Sequence, residues 1–224
     1  MHKPLRQVLP LLLAVCMAVG ALSWAAADQQ GTSKRLPSPR TTGNVSVEEA
    51  IAQRRSVRSL ADTPLSPEQI GQLLWSGQGI TDAERGFRAA PSAGALYPLE
   101  LYVVTAEGVE HYDPANHSLR PHMAEDVRPA IQRASLDQEF ISVAPLNIVI
   151  AAVIERTEAR YGERAEKFCM LEVGHAAQNI LLQATAMQLV GVPVGAYDEA
   201  DVKSILQLPE NHRVLYMLPI GNRK

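Results

Sequence analysis

Arg54-Arg55-Ser56-Val57-Arg58 places three guanidiniums and a hydroxyl within five residues. Arginine offers paired donors that match a phosphate, so this run can cradle an anion; it can equally be a solvated basic edge. Ala90-Pro91-Ser92-Ala93-Gly94-Ala95-Leu96-Tyr97-Pro98 is a second candidate. Its small side chains let a flat ligand approach the backbone, and Ser92 can donate or accept; read without a ligand, it is a tight turn. Gly191-Val192-Pro193-Val194-Gly195-Ala196-Tyr197 can present N–H groups to a ligand edge or simply turn the chain. Pro219-Ile220-Gly221-Asn222-Arg223-Lys224 adds a late cationic site or a charged tail.

Other chemistries lack their residues. No Gly-x-Ser-x-Gly elbow and no Gly-x-Gly-x-x-Gly loop occurs in the second candidate. Glu172-x-x-His175 matches half of a di-iron helix motif, but no second copy accompanies it. His175 therefore reads as a hydrogen-bonded core or interface residue. His111, His117 and His122 lack zinc-like spacing. Cys169 reads as a small buried hydrophobe, and no metal is implied.

The elements that must position these runs follow from caps and periodicity. Ser46 and Glu49 form a capping box that opens a helix running to Arg54 or Arg55, directly before the arginine cluster. Ser66-Pro67 opens a second helix that ends near Gly77 or Gly79. Residues 80–98 hold no long periodic segment. Leu99 to Thr105 and Val109 to Tyr112 predict a hairpin turning at Glu107-Gly108. Ala124 to Ala134 reads as helix, and Leu146 to Val153 as a strand covered on both faces. A long helix is expected over Arg164 to Leu189, apolar around much of its circumference and stopped by Gly191. A short helix over Asp198 to Leu206 and a last strand over Arg213 to Ile220 complete an α+β order with one central sheet.

Length and composition bound the class. The 224 residues are 46% hydrophobic and 20% charged, with Lys+Arg 21 against Asp+Glu 24. Those values fit one globular domain and give no bulk positive charge for nucleic acid. Residues 1–27 have the form of an export signal: a basic start at His2, Lys3 and Arg6, an uncharged apolar stretch, then Ala25-Ala26-Ala27. Cleavage after Ala27 is the favoured reading, with an uncleaved anchor as the alternative. Losing Lys3, Arg6 and Cys16 takes the net charge from −3 to −5 and leaves Cys169 alone, so no internal disulfide can form. The polar residues 28–45 are expected as a flexible leader before a domain at 46–224.

Taken together, the runs around Arg54–Arg58, Pro91–Glu100, Gly174–Asn179, Gly191–Tyr197 and Leu218–Gly221 resemble the nitroreductase superfamily in order and type. The Pro-Ser-Ala-Gly-Ala-Leu-Tyr-Pro form is most similar to the branch of azoline-oxidising dehydrogenases of modified-peptide pathways. The resemblance covers about 47–223. It implies an α/β/α sandwich with a central mixed sheet, built as a homodimer with FMN at the interface. By position, Arg54, Arg55 and Ser56 would meet the FMN phosphate, ribityl chain or pyrimidine edge. Pro91, Ser92, Ala93 and Gly94 would line the ring from the other subunit. Val194, Gly195 and Ala196 would lie against the ring, and Arg223 would reach the phosphate. Gln178 and Asn179 look like structural or interface groups.

The resemblance further implies an FMN-dependent oxidoreductase that passes two electrons or a hydride to or from a small organic compound or modified peptide. Because the cofactor carries the chemistry, no catalytic dyad is required of the chain. The alternative is a flavin- or ligand-binding module without turnover. An exported enzyme would meet little nicotinamide, so another electron donor or oxygen-coupled turnover is expected.

Overall fold

The computed structural model describes residues 32–224; the expected signal at 1–27 lies outside the described residues. In chain order the elements are β1 (Lys34–Arg35), α1 (Val47–Gln53), α2 (Pro67–Gln78), β2 (Ile80–Asp82), β3 (Phe87–Arg88), β4 (Leu99–Thr105), β5 (Gly108–Asp113) and β6 (Ser118–Met123). They continue as α3 (Arg128–Ala134), α4 (Phe140–Val143), β7 (Leu146–Ala152), α5 (Glu155–Tyr161), α6 (Ala165–Ala186), β8 (Val190–Gly191), α7 (Glu199–Ile205) and β9 (Arg213–Gly221).

Seven strands form one open sheet in the order β1-β6-β5-β4-β7-β9-β8. Every pairing within it is antiparallel, so the expected mixed sheet is corrected to an antiparallel one. The parallel element is a single bridge between Ser56 and Gly191, outside the strands. Alternation sorts the core. On β4 and β7, Leu99, Leu101, Val103, Leu146, Ile148 and Ile150 face α2 and α6, whereas Tyr102, Val104, Val149 and Ala151 face α3, α4 and α7. The result is the expected three-layer α/β/α sandwich. All seven residues of β7 are buried, as its unbroken apolar run requires of a strand between β4 and β9.

The Ser46 capping box forms, and Ser66 makes a second one with Gln69 at the start of α2. The Glu49 N–H donates to Ser46 Oγ at 3.1 Å, and the Ser46 N–H donates to Glu49 Oε2 at 2.8 Å. Ser46→Ala is expected to destabilise the fold by about 1 kcal/mol, read as a lower urea midpoint at unchanged slope. An unchanged midpoint would show that this box does not stabilise the chain.

The structure departs from the sequence reading in several places: α4 and α5 are additional helices, and the helix expected over Ala124 to Ala134 begins at Arg128. The leader is partly laid down: Lys34 and Arg35 pair with Leu119 and Ser118, and Leu36 is buried. β6 carries little apolar alternation and contains Pro121, which is tolerated because β1 covers only the first two residues of that edge strand. The stretch 80–98 holds the small β2–β3 hairpin and a 3₁₀ turn at Ala93–Ala95. The long helix ends at Ala186, with Gln188 taking the left-handed conformation at φ 61, so Gly191 is not its stop. Gly191 is required elsewhere, because a Cβ there would sit 2.8 Å from the Pro219 carbonyl oxygen. No helix among the described residues is long and apolar enough to cross a membrane.

Candidate functional site

Three of the four candidate runs converge. The Val57 N–H donates to the Gly191 carbonyl at 3.0 Å, tying the arginine cluster to the start of the Gly191–Tyr197 run. Val194 and Met217 exchange backbone hydrogen bonds at 2.8 and 3.1 Å, which pins that run to β9. Leu60 bridges to Arg223, and the Ala61 N–H donates to the Asn222 carbonyl at 2.9 Å. Arg54–Arg58, Val194–Ala196 and Arg223 are thereby mounted on one scaffold at the β8–β9 side of the sheet.

The donors on this scaffold are available. Arg54 is half-buried, Ser56 and Arg58 are exposed, and among the described residues none of Arg54, Arg58 and Arg223 enters a salt bridge. Arg55 differs: its Nη1 donates to the carbonyls of Ala52 and Arg54 at 2.9 and 2.7 Å, so part of its fork closes the end of α1. Gly195 is exposed, and a Cβ there would meet nothing nearer than Tyr216 Cε2 at 3.8 Å. Packing does not demand that glycine. Its bare backbone leaves room for a flat ring.

The fourth run, Pro91–Tyr97, is held by other partners. Three residues with positive φ, Gly94 at 63, Ala95 at 54 and Tyr97 at 48, shape it. Non-glycine residues keep such conformations only when their surroundings over-determine them. Tyr97 is gripped from four sides. Its N–H donates to Ser92 Oγ at 2.9 Å and its carbonyl accepts from Arg156 Nη1 at 3.2 Å. Its hydroxyl accepts from the Arg88 N–H at 3.2 Å, and the Arg88 guanidinium lies 4.6 Å over its ring. A Cβ on Gly94 would press on Arg160 Nη1 and the Tyr161 hydroxyl at 2.9 and 3.0 Å.

Behind this grip lies a charge network that sequence reasoning missed. Glu100 bonds Arg156 at 2.5 Å through one oxygen and His111 at 2.7 Å through the other. Burial alone would raise the Glu100 carboxyl, but His111 and Arg156 outweigh it and hold it at about 2. His111 in turn stacks on Tyr102 with centroids 4.7 Å apart, and Tyr102 bonds His212 at 2.9 Å. A carboxyl lowered in the folded state stabilises above its unfolded value and loses that contribution as the pH falls toward 2. Glu100→Gln is expected to cost on the order of 2 kcal/mol at pH 7 and clearly less at pH 3. Urea unfolding at both pH values checks it; an equal cost at both would refute the charge argument.

The remaining histidines and Cys169 have ordinary partners. His117 bonds Tyr112 and the Pro37 carbonyl, and His122 bonds the Leu206 carbonyl. Cys169 is fully buried, as expected. His175 is exposed on α6 rather than set in the core of the chain. Asn179 reaches the Ala89 carbonyl at 3.4 Å, just before the Pro91 turn. Among the described residues, no group of three His, Cys, Asp or Glu side chains converges as a metal site.

Residues 51–222 match the profile of the nitroreductase family. The chain belongs to the nitroreductase family. Membership makes it an oxidoreductase of that family. The nitroreductase-class protein MJ1384 of Methanocaldococcus jannaschii is 40% identical over 185 residues, covering 80% of this chain and 92% of that one. The microcin B17-processing protein McbC of Escherichia coli is 24% identical over 157 residues, 65% of this chain and 58% of its own length. This nitroreductase-family chain also superposes on a crystal structure of a nitroreductase-class protein from Ralstonia eutropha with TM-score 0.79 and 27% identity, covering 88% and 91% of the two chains.

Proposed function

We propose that this chain is an FMN-dependent oxidoreductase, transferring two electrons or a hydride to or from a small organic compound or a modified peptide. The observation that carries the reading is the mounting of Arg54, Ser56, Val194–Ala196 and Arg223 on one scaffold, with free guanidiniums beside an open glycine backbone. The donor set suits a phosphorylated flavin. Arg54 and Arg223 supply charge-assisted donors for a phosphate, Ser56 a hydroxyl partner for the polar chain, and Gly195 a surface on which an aromatic ring can lie. Bound there, FMN would supply reversible two-electron chemistry, leaving orientation, electrostatics and access to the protein. The Arg54 guanidinium adds positive potential favourable to negative charge gained on reduction.

A homodimer is part of this reading. The Pro91–Tyr97 run takes its partners from Arg88 and Arg156 at Tyr97 and from Glu172 at Ser92 and Ala93 rather than from the arginine scaffold, so a second copy supplies the way to face one run with the other. Exposed apolar side chains support it: Val47 and Ile51 on α1, and Met170 and Leu171 on α6. McbC's role in microcin B17 processing supports a peptide among the candidate substrates. The form of residues 1–27 supports export to a periplasmic or other extracytoplasmic space, where oxygen or a donor other than nicotinamide would serve.

The test is the absorption spectrum of purified protein, followed by anaerobic titration with chemical and biological reductants. A bound flavin band that bleaches on reduction and recovers with oxygen is the expected result. A colourless protein that takes up no added FMN refutes the reading. A flavin that binds yet stays inaccessible to every reductant would instead mark a binding module.

A further inference from the structure

Glu172 stands in the middle of α6 and is almost wholly buried, 2% exposed, on the side facing the Pro91–Tyr97 turn. Its carboxyl faces the Ser92 hydroxyl and the Ala93 N–H, and its Oε1 has no hydrogen-bond partner. No salt bridge neutralises it among the described residues. The charged and titratable groups around it are few. Arg88 of β3 lies nearest in charge but spends Nη1 on Gln78 Oε1 at 2.9 Å and its plane on Tyr97. Cys169 lies one turn away on α6. On α5, Arg156 is engaged by Glu100 and Tyr97, Arg160 lies over the Tyr161 ring, and Tyr161 packs edge-on against Phe168. A glutamate among these partners is not there to pack, because an apolar side chain would serve better in a buried helix face.

We propose that Glu172 is a proton-dependent positioning residue: its protonation state sets the direction in which the Ser92 hydroxyl donates, and so what the Pro91–Gly94 run offers a bound flavin. The inference rests on the FMN reading above. A serine hydroxyl has one proton and two acceptor positions. One acceptor position is taken by the Tyr97 N–H at 2.9 Å. An ionised Glu172 only accepts, so it draws the Ser92 proton inward. A protonated Glu172 donates its own proton to the second acceptor position, and the Ser92 proton turns outward, where the half-buried serine meets the ligand side. Burial pushes the carboxyl up to about 7 against the opposing pull of Ser92, Arg88 and the Ala93 N–H, so both states are reached near neutrality.

By linkage, a ligand that accepts from Ser92 binds better when Glu172 holds its proton, and its binding draws a proton in. The test compares wild type, Glu172→Gln, Ser92→Ala and the double variant, with FMN as probe between pH 5.5 and 8.5. The FMN phosphate also titrates there, and Ser92→Ala isolates that background. Wild type is expected to lose about five-fold in affinity toward pH 8.5 beyond the Ser92→Ala change, the equivalent of one hydrogen bond. Glu172→Gln, whose amide donates at every pH, should hold the acid-side affinity, and should change nothing when Ser92 is alanine. A Glu172→Gln protein that keeps the wild-type pH profile overturns the proposal.

Infrared spectroscopy of the flavin-free protein gives a readout independent of FMN. A protonated-carboxyl band that fades as the pH rises through about 7, and is missing in Glu172→Gln, upholds the proton-holding half. Absence of that band overturns it. Thermal melting follows the same sign: a carboxyl raised in the folded state stabilises fully at low pH and loses that stability as the pH rises through its folded value. Wild type should therefore lose Tm as the pH rises from about 4.5 to about 7, a loss that Glu172→Gln does not show. If FMN binds at no pH while the infrared band behaves as expected, the cofactor reading fails and the proton-holding half alone stands.

Discussion

Arg54→Ala is expected to weaken FMN binding by about 10- to 100-fold, the effect of losing a charge-assisted contact to phosphate worth about 1.5–3 kcal/mol. The backbone around it should survive the change. The Arg54 N–H donates to the Ala50 carbonyl at 2.9 Å, and the Val57 N–H holds the Gly191 carbonyl, so neither anchor uses the Arg54 side chain. Arg54 is half-buried at the end of α1, where a guanidinium also sits well against the negative end of the helix dipole. Arg55→Ala supplies the contrast. Its Nη1 is already spent on two helix-end carbonyls, so a loss of a few-fold is expected. Flavin fluorescence titration at fixed ionic strength measures both. Equal, small losses for the two variants would remove Arg54 from the site.

Gly108→Ala is expected to produce the largest loss of stability of any single methyl addition outside the candidate site. Gly108 opens β5 at φ 134, a conformation that L residues rarely adopt. A Cβ there would lie 2.1 Å from the Met123 carbonyl oxygen and 3.2 Å from the Ala124 Cα. Neither neighbour is the end of a flexible side chain, so the β4–β5 turn and the end of β6 must both move. Strain and clash together should cost on the order of 3 kcal/mol or more, lowering Tm by roughly 6–12 °C for a domain of this size. Gly162→Ala isolates the strain: its φ is 55, but a Cβ there meets nothing within 4 Å. It should cost about 1–2 kcal/mol. Comparable Tm losses in the two variants would show that the clash with Met123 is relieved cheaply.

Much of the frame was legible from local signals. The Ser46 capping box, the helix start at Ser66-Pro67 and the unbroken apolar run of β7 each act through nearby residues, and each formed as read. The long helix was legible for the same reason, though its end was not. Gln188 accepts a left-handed conformation that glycine would adopt more easily, and the sharp turn into β8 enforces it. β6 escaped notice because a strand at the edge of a sheet needs neither alternation nor a full set of N–H donors, and Pro121 reads locally as a breaker.

The candidate site divides along the same line. Residue types offered the runs Arg54–Arg58, Ala90–Pro98, Gly191–Tyr197 and Pro219–Lys224 beside blander readings of each, and the family resemblance singled out Arg54–Ser56, Pro91–Gly94, Val194–Ala196 and Arg223 within them. That three of these runs share one scaffold while Pro91–Gly94 answers to other partners was decided by strand order, which joins Val57 to Gly191 and Leu60 to Arg223 across more than a hundred residues of chain. The roles of Glu100 and Glu172 were likewise invisible beforehand. A carboxylate's behaviour is set by what lies within a few ångströms of it: His111 and Arg156 hold the first near 2, and burial beneath Ser92 raises the second to about 7. Composition and spacing name the groups; only the tertiary fold brings them to the neighbours that fix their charge.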